Sequence, residues 1–492
     1  MKLKQLVDSM VIKKSKGSLY IDIAGIKYNS KTVEKGDLFV CIRGYNLDGH
    51  DFLAEALENG ATAVILEKWM DTGEATAIQV SNAREALSIL STQFYHNPSQ
   101  NFKLVGVTGT NGKTTTTYLI ESIFNAAGEK TGVIGTLGYK IDGKEYKSHV
   151  TTPESLELQK ILAQMMEQGV SCVSMEVSSH ALKQKRIFGC DFNAAVFTNL
   201  YQDHLDYHAD LEDYRAAKGR FFSFLGTSFQ KSSFPKAAII NMDDAHADYM
   251  MQQAAVQAIT YGIEKDADVK AQNIEMFTDK SNFTIATPWG NVDVTLDIPG
   301  RFSIYNALAA SAAALTQNID LHVVKEGLEH IKGIPGRFEN VHTGRDFAVI
   351  VDYAHTTNSL ENILSTLREF APGRIGVVFG CGGDRDRTKR PSMGSVAAKY
   401  GDMLFITSDN PRSEDPVKII EDILEGIEEN RSYIVEPDRR KAISEAVNWA
   451  EADDIILIAG KGHEAQQEFK DRIIEFDDKK VVKEEIGKLQ KQ

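Results

Sequence analysis

The sequence contains few cysteines, and they are widely scattered. There are four of them, with no C-x-x-C pair: Cys41, Cys172, Cys190 and Cys381. This spacing favours neither a disulfide framework nor a structural zinc site. We therefore expect a reduced, cytoplasmic setting.

Long apolar runs and an excess of basic residues are also missing. No segment approaches the roughly 18 consecutive apolar residues of a membrane span, and residues 1–8 lack the apolar core of a signal peptide. The formal net charge is -14, whereas a nucleic-acid-binding protein normally carries a basic patch. We therefore expect neither a membrane nor a nucleic acid as partner, although local lysines and arginines can still bind anions.

The chain does contain enough apolar sequence to build several cores. Hydrophobic residues make up 42% of the 492 positions, as in ordinary globular proteins. A chain of this length is expected to form about three domains. We predict domains over residues 1–98, 99–333 and 334–492, with the polar stretch 96–101 as the first linker.

The clearest chemical motif lies in residues 104–115. An apolar run leads into Gly109-Thr110-Asn111-Gly112-Lys113-Thr114-Thr115, and an amphipathic stretch follows. A strand, a glycine-rich turn and a helix in this order are typical of a phosphate-binding loop. In such a loop Lys113 would bind phosphate oxygens and Thr114 would bind Mg²⁺. The spacing departs from G-x-x-x-x-G-K-[ST], because Val107 stands where the first glycine belongs. A glycine-rich turn without a ligand is the alternative.

Later strands predicted in this domain also end in polar residues. Glu176 ends the apolar run 172–176, and the run 194–197 leads into a segment that contains His204 and His208. Ligands of parallel sheets bind at the carboxyl ends of strands, so a carboxylate and a hydroxyl beside a triphosphate indicate Mg²⁺. The two histidines also have a zinc-like i, i+4 spacing, although no third ligand suits it. Ordinary loop histidines are the other alternative.

Two polar segments in the same domain are predicted to start helices. Thr152 as N-cap, with Pro153 at the first helical position, predicts a helix over residues 156–168. Asn306 is predicted to cap an alanine-rich helix over residues 307–315. The threonine hydroxyls at a helix N-terminus are also suited to holding an anion.

The third predicted domain has four strands, each followed by a charged loop. The strands cover residues 348–351, 375–379, 403–406 and 455–459, with helical patterns between them. This alternation predicts a Rossmann-like sheet whose loops grip a zwitterionic ligand at one edge. The predicted fold class is α/β with three domains: the central one is a P-loop ATPase domain with a parallel sheet, and the C-terminal one is Rossmann-like.

Together these motifs resemble the Mur ligases, which are ATP-dependent amide ligases of peptidoglycan precursor synthesis. The resemblance covers essentially the whole chain and is carried by the phosphate loop and by residues 175–180, 199–206, 214–218, 336–339, 352–355 and 409–412. Within this family, the sequence resembles the ligases that add meso-diaminopimelate to UDP-N-acetylmuramoyl-L-alanyl-D-glutamate. Thr357 and Ser303 replace a usual proline and a common asparagine, and neither change removes an expected ligand.

The resemblance implies a set of binding residues for each substrate. For ATP they are Gly109, Thr110, Asn111, Gly112, Lys113, Thr114, Thr115, Asn306, Arg337, Asp352 and His355. For the UDP-muramoyl-dipeptide they are Ser30 with the loop 43–51, Thr151, Thr152, Ser178, Gln184 and Arg186. For diaminopimelate they are Arg385, Asp409, Asn410, Pro411, Arg412, Gly460 and Glu464.

The resemblance also implies two Mg²⁺ ions, with Lys113, Glu176, His204 and Lys218 as the catalytic residues. Thr114 and Glu176 would hold one ion, and His204 and a carbamylated Lys218 would serve the second together with Glu176. A carbamate supplies the anionic oxygen that Mg²⁺ prefers. Without this modification, Lys218 is interpreted as a surface lysine of a helix.

In the implied reaction, the γ-carboxylate of D-glutamate takes the γ-phosphoryl group of ATP, and the amine of the amino acid then displaces phosphate from the acyl phosphate. Arg385, Asn410 and Arg412 suit a carboxylate and Glu464 suits an ammonium, which favours diaminopimelate over L-lysine; a solvated turn is the alternative for Arg412. Ligation of lysine, folylpolyglutamate synthesis and a non-catalytic nucleotide switch are the competing functions. We expect a monomer.

Overall fold

The computed structural model describes residues 1–44, 47–148, 150–204, 207–226, 234–277, 279–342 and 344–489. Within these ranges the strands form three sheets in chain order and one short two-stranded ribbon. This arrangement confirms the predicted α/β class. No helix in the described part of the chain combines the length and the apolar character needed to cross a bilayer.

The N-terminal sheet has five strands in the order β1-β5-β4-β3-β2, and β1 alone runs antiparallel to its neighbour. Its elements are α1 (Leu3–Val7), β1 (Lys14–Lys16), β2 (Ile26–Lys27), β3 (Leu38–Val40), α2 (Leu53–Glu58), β4 (Ala63–Leu66), β5 (Thr76–Gln79) and α3 (Ala83–Phe94). Every residue of β4 is buried, because a parallel strand covered on both faces is a continuous apolar run.

The central sheet has eleven strands, and β6 lies in its interior between β11 and β10. The strands are β6 (Lys103–Thr108), β7 (Thr131–Gly135), β8 (Gly138–Ile141), β9 (Lys144–Tyr146), β10 (Cys172–Glu176), β11 (Ala194–Phe197), β12 (Ala237–Asn241), β13 (Ala258–Gly262), β14 (Val269–Met276), β15 (Ser281–Thr287) and β16 (Gly290–Leu296). The helices are α4 (Lys113–Ala126), α5 (Ser155–Glu167), α6 (Ser179–Lys183), α7 (Leu211–Phe224), α8 (Ala247–Gln253), α9 (Arg301–Thr316) and α10 (Leu321–His330).

The parallel register of β6, β10 and β11 brings their carboxyl ends together. Glu176 pairs with Val107, and Phe197 pairs with Thr108. The loops that follow these three strands therefore leave the sheet at the same edge. This edge faces the C-terminal domain.

The C-terminal sheet has the order β17-β18-β22-β19-β20-β21, and only β17 is antiparallel to its neighbour. Its strands are β17 (Glu339–Val341), β18 (Ala348–Asp352), β19 (Ile375–Phe379), β20 (Met403–Ile406), β21 (Tyr433–Val435) and β22 (Ile455–Ala459), and the ribbon is β23 (Gln466–Glu468) with β24 (Ile473–Glu475). The helices are α11 (Thr357–Phe370), α12 (Lys389–Tyr400), α13 (Pro416–Leu424), α14 (Arg439–Trp449) and α15 (Asp478–Leu489). The four strands predicted here are confirmed, and β18 is one residue longer than expected.

The predicted starts of two central helices are wrong. Helix α5 begins at Ser155 with Glu154 as its N-cap, because the hydroxyl of Thr152 instead donates to the carbonyl oxygen of Glu176 at 2.8 Å. Helix α9 begins at Arg301, after Gly300 turns the chain with φ of 95°. Asn306 therefore lies in the second turn of this helix rather than at its cap.

A fully buried ion pair joins the starts of α14 and α15. Arg439 donates to both carboxylate oxygens of Asp478, each at 2.8 Å, and both side chains are completely shielded from solvent. Removing one member of such a pair leaves the other buried without its countercharge.

We expect Arg439→Met to lower the free energy of unfolding by about 3–5 kcal/mol, and we expect a second change, Asp478→Leu, to restore most of the loss. Urea unfolding measures both effects. Arg440→Met is the matched control, because its ion pair with Glu484 is about half exposed and such pairs contribute only about 0–1 kcal/mol. Equal losses for Arg439→Met and Arg440→Met would contradict the assignment.

Candidate active site

A cleft of about 880 Å³ lies between the central and C-terminal domains. Loops that follow strands of both sheets form its walls. It is lined by most of the residues predicted as site residues: Gly109, Thr110, Asn111, Gly112, Lys113, Thr114, Thr151, Thr152, Glu176, Ser178, Arg186, His204, Lys218, Arg337, Asp352, His355, Arg385, Asp409, Asn410, Arg412, Gly460 and Glu464. The two sheet edges thus converge on one cavity.

Five predicted site residues do not line this cleft: Ser30, Thr115, Gln184, Asn306 and Pro411. Ser30 is buried in the N-terminal domain and donates its hydroxyl to Glu55 at 2.5 Å. Of the loop 43–51, Tyr45 and Asn46 lie outside the described residues. Gln184 lies behind the cleft wall and accepts, at Oε1, a hydrogen bond from Nη2 of the cleft residue Arg186 at 2.7 Å.

One glycine of the phosphate loop, Gly112, is required by a close contact. Gly112 has φ of 83°, and a Cβ on it would collide with the amide oxygen of Asn306. The same oxygen accepts a hydrogen bond from Thr116 at 3.3 Å. Asn306 therefore supports the loop from behind, which explains its absence from the cleft wall.

Two lysines converge on one backbone oxygen of this loop. The ammonium groups of Lys113 and Lys218 donate to the carbonyl oxygen of Gly109 at 2.9 and 2.8 Å. Lys113 also donates to the carbonyl oxygen of Thr110 at 2.8 Å. The first turn of α4 adds the positive end of its helix dipole. The positive charge of Lys113 and the helix N-terminus suit a polyphosphate.

Lys218 is 1% exposed, so it is not the surface lysine of the alternative interpretation. Burial lowers the pKa of its amine well below the ordinary value; Lys113 lowers this pKa further, and Asp203 opposes the shift. Its Nζ also lies 4.5 Å from the centre of the Tyr214 ring. Burial therefore shifts this lysine toward its uncharged form.

Glu176 is oriented by a residue that sequence analysis missed. Thr136 donates its backbone N–H to Oε1 of Glu176 at 2.8 Å and its hydroxyl to Oε2 at 3.1 Å. Thr136 directly follows β7, so the rule of polar residues at strand ends could have found it. The carboxylate of Glu176 is 1% exposed and is held in one orientation at the cleft wall.

The two histidines of the 199–208 segment have different environments. His208 is buried between the hydroxyl of Ser179 and the carboxylate of Asp213, at 3.0 and 3.1 Å. His204 lines the cleft and lies edge-on against His180, with ring centres 5.0 Å apart. Among the described residues, no three His, Cys, Asp or Glu side chains form a group that could hold a metal ion. The zinc interpretation therefore finds no support in this region.

Arg337 extends from the C-terminal domain to the phosphate loop. Its Nη2 donates to the hydroxyl oxygen of Thr114 at 3.1 Å, and its guanidinium lies 4.9 Å from the centre of the Tyr353 ring. Its Nε is buried and has no hydrogen-bond partner in the described part of the chain. An additional acceptor in the cleft would satisfy that donor.

The loops after β19, β20 and β22 supply the other end of the cleft. Arg412 is held with φ of 52°, and it donates to the carbonyl oxygen of Gly383 at 2.8 Å. Its side chain is 22% exposed, so the solvated-turn alternative does not describe it. Arg385 is exposed, whereas Asp409 is buried and one of its carboxylate oxygens lacks a partner. These charges are suited to a ligand that carries both signs.

Lys461 is the second residue that sequence analysis missed. Its side chain is fully buried behind the cleft wall, and its ammonium donates to Oδ1 of Asn410 at 3.0 Å and to Oε2 of Glu464 at 3.2 Å. Its position in the sequence, Gly460-Lys461-Gly462, is that of a polar loop residue and gives no sign of this burial.

Known protein domains match most of the chain. The Mur ligase family catalytic domain matches residues 22–95, the Mur ligase middle domain matches 107–314, and the Mur ligase glutamate ligase domain matches 336–462. These matches leave the exact domain boundaries predicted from the sequence untested.

Similar proteins and structures agree with these domain matches. The UDP-N-acetylmuramoyl-L-alanyl-D-glutamate–2,6-diaminopimelate ligase of Geobacillus thermodenitrificans is 47% identical, with 94% of each chain covered. The ligase of the same name from Syntrophomonas wolfei is also 47% identical, over 98% of this chain and 99% of that one. A solved structure bearing this enzyme name has a TM-score of 0.72 at 33% identity, with 100% and 99% covered. The resemblance is confirmed: the chain belongs to the Mur ligase family.

Proposed function

We propose that this chain is an ATP-dependent ligase that joins meso-diaminopimelate to the D-glutamate γ-carboxylate of UDP-N-acetylmuramoyl-L-alanyl-D-glutamate, in peptidoglycan precursor synthesis. The observation that carries the proposal is the single cleft in which the phosphate loop faces Asn410, Arg412 and Glu464. A phosphoryl donor and an amino acid can meet there. Because all of these residues belong to one chain, we propose a monomer, acting in the cytoplasm where ATP is available.

Lys113 and the loop N–H groups would bind the phosphates, with Arg337 beside Thr114 closing the site from the other domain. Asp352 and His355 also line the cleft and would contact the nucleotide. Transfer of the γ-phosphoryl group to the glutamate carboxylate gives an acyl phosphate and ADP. The positive charge on Lys113 stabilises the charge that develops on the transferred group.

The second step needs an uncharged amine near the acyl phosphate. The amine of diaminopimelate attacks the acyl carbon, phosphate leaves with the C–O bonding pair, and the amine loses a proton as the amide forms. Glu464 and Asn410 would hold the distant end of the amino acid. Thr151, Thr152, Ser178 and Arg186 line the cleft beside Glu176 and would hold the muramoyl-peptide.

Thr114, Glu176, His204 and a carbamylated Lys218 would hold Mg²⁺, which would neutralise phosphate charge. The oxygens of Thr114 and Glu176 fit this role, but the free amine of Lys218 does not. Its buried amine has a lowered pKa and so keeps the lone pair that reacts with CO₂. The product is an N-carboxylate and a proton, and the carboxylate supplies the missing oxygen donors.

We expect phosphate release from ATP to require both the UDP-dipeptide and meso-diaminopimelate. With L-lysine as the amine, kcat/KM should fall by a factor of about 30 to several thousand, because groups that pair with the second carboxylate are left unpaired, at a cost of roughly 2–5 kcal/mol. A phosphate-release assay with each substrate omitted measures this. Equal rates with the two amino acids, or release without any amino acid, would contradict the proposal.

We expect the activity to fall in CO₂-depleted buffer at neutral pH and to return when bicarbonate is added. An ordinary lysine is uncharged in only about one molecule in a few thousand at pH 7, whereas burial favours the uncharged amine of Lys218. Lys218→Met should be inactive with or without bicarbonate. Lys160→Met, at an exposed lysine of α5, is the control and should respond like the unaltered protein. Indifference of the unaltered protein to CO₂ would refute the carbamate.

We expect Thr136→Val to weaken the apparent affinity for Mg²⁺ by about 10- to 100-fold, because it removes the hydroxyl donor that orients Glu176. Mg²⁺ titration of phosphate release is the measurement. Thr284→Val is the control. It also removes a hydroxyl that donates to a carboxylate, that of Asp293 at 2.7 Å, but it lies in β15, away from the cleft, and should leave the Mg²⁺ dependence unchanged. The role of Thr136 is refuted if both variants show the Mg²⁺ dependence of the unaltered protein.

A further inference from the structure

A buried cation sits directly behind the part of the cleft that is proposed to bind the amino acid. The ammonium of Lys461 has three N–H bonds, and three acceptors surround it: Oδ1 of Asn410 at 3.0 Å, Oε2 of Glu464 at 3.2 Å and the carbonyl oxygen of Gln466 at 2.6 Å. All of its donors are therefore used within the protein. Lys461 does not line the cleft, so it does not contact a ligand there.

The same cation fixes which way the amide of Asn410 points. Its Oδ1 accepts from Lys461 and also from the backbone N–H of Glu468 at 3.0 Å. Both partners can only donate, so the oxygen must face them and the NH₂ group must face the other way. One N–H of Asn410 donates to Oε2 of Glu464 at 2.8 Å. The second N–H of this amide remains as a donor, and Asn410 lines the cleft.

Lys461 also fixes the carboxylate of Glu464. Oε2 is shared between the ammonium of Lys461 and the amide of Asn410. Among the residues that the structure describes, Oε1 has only a long contact of 3.5 Å from the hydroxyl of Tyr353. One face of the cleft wall therefore presents an N–H donor and, beside it, an anionic acceptor.

We propose that Lys461 is a positioning residue that sets amino-acid specificity by fixing Asn410 as a donor and Glu464 as an acceptor. This inference rests on the proposed function. Meso-diaminopimelate carries a carboxylate and an ammonium at its distal end, whereas L-lysine carries only the ammonium. Without Lys461, only the backbone N–H of Glu468 still holds the oxygen of Asn410, and the carboxylate of Glu464, which anchors the amide N–H, loses its own donor. The amide is then less strictly oriented, and in a rotated state it presents its oxygen, which repels a carboxylate but not an ammonium. The selectivity between the two amino acids therefore depends on a residue that touches neither.

The test is Lys461→Met, which keeps the length of the side chain but cannot donate. We expect KM for meso-diaminopimelate to rise by about 10- to 100-fold, with KM for ATP and for the UDP-dipeptide unchanged. The ratio of kcat/KM for diaminopimelate over lysine should fall by a similar factor. Arg374→Met is the control: it breaks an ion pair with buried Asp454, at 2.6 Å, at the opposite end of β19, and should leave this ratio unchanged.

A second variant, Asn410→Asp, removes the amide donors while keeping the shape of the side chain. It should lower the same ratio, and the double variant should lose less than the product of the two single losses, because both act through one donor. The inference is overturned if the losses of selectivity in the two single variants multiply in the double variant. It is also overturned if Lys461→Met leaves the ratio unchanged, or raises KM equally for all three substrates.

Two further results decide between the two proposals. If Lys461→Met does not fold, Asn410→Asp alone gives the answer, and an unchanged ratio in that folded variant refutes the inference. If the unaltered protein releases no phosphate in response to diaminopimelate, the proposed function fails and the inference fails with it. If the unaltered protein prefers diaminopimelate and Lys461→Met shows the same ratio, the proposed function stands. Only the inference about Lys461 is then refuted.

Discussion

The phosphate loop is defined by the repulsion between two lysines that share one carbonyl oxygen. Nζ of Lys113 and Nζ of Lys218 lie 2.9 and 2.8 Å from the carbonyl oxygen of Gly109, and burial lowers the pKa of both amines. Two cations that share one acceptor repel each other strongly where the dielectric constant is low. The pair becomes more stable if one amine is uncharged, or if an anion enters. A carbamate on Lys218 would accomplish both, since it converts a repelling cation into a countercharge for Lys113.

The same electrostatic constraint links the two domains. The overall charge of -14 gives no hint that lysines and arginines collect at one sheet edge, because the parallel strands bring together loops that are far apart in sequence. Arg337 adds a cation from the opposite domain and is only partly satisfied by Thr114. A polyphosphate between the domains would neutralise charge from both sides, so binding of this substrate and closer contact of the domains favour each other.

The fold was more predictable than the details of the site. Strands such as β19 are buried on both faces and appear in the sequence as continuous apolar runs, so their bounds could be predicted. The start of α5 could not be predicted, because tertiary contacts engage Thr152 elsewhere. Thr136 and Lys461 were missed for a related reason: their roles depend on partners that the sequence does not place beside them. The predicted role of Ser30 remains a prediction, since the residue lies away from the cleft.

Lys218 and Lys461 are both buried, but their neighbours give them opposite properties. Lys218 has one carbonyl acceptor and a nearby cation, so desolvation favours its neutral form, which is reactive. Lys461 has three acceptors, one of them a carboxylate, so each N–H bond of its charged form is satisfied. A buried lysine surrounded by acceptors can orient other groups but is not available for chemistry. In the proposed reaction the cleft thus separates these tasks: phosphoryl transfer beside Gly109, and selection of the amine at Asn410 and Glu464.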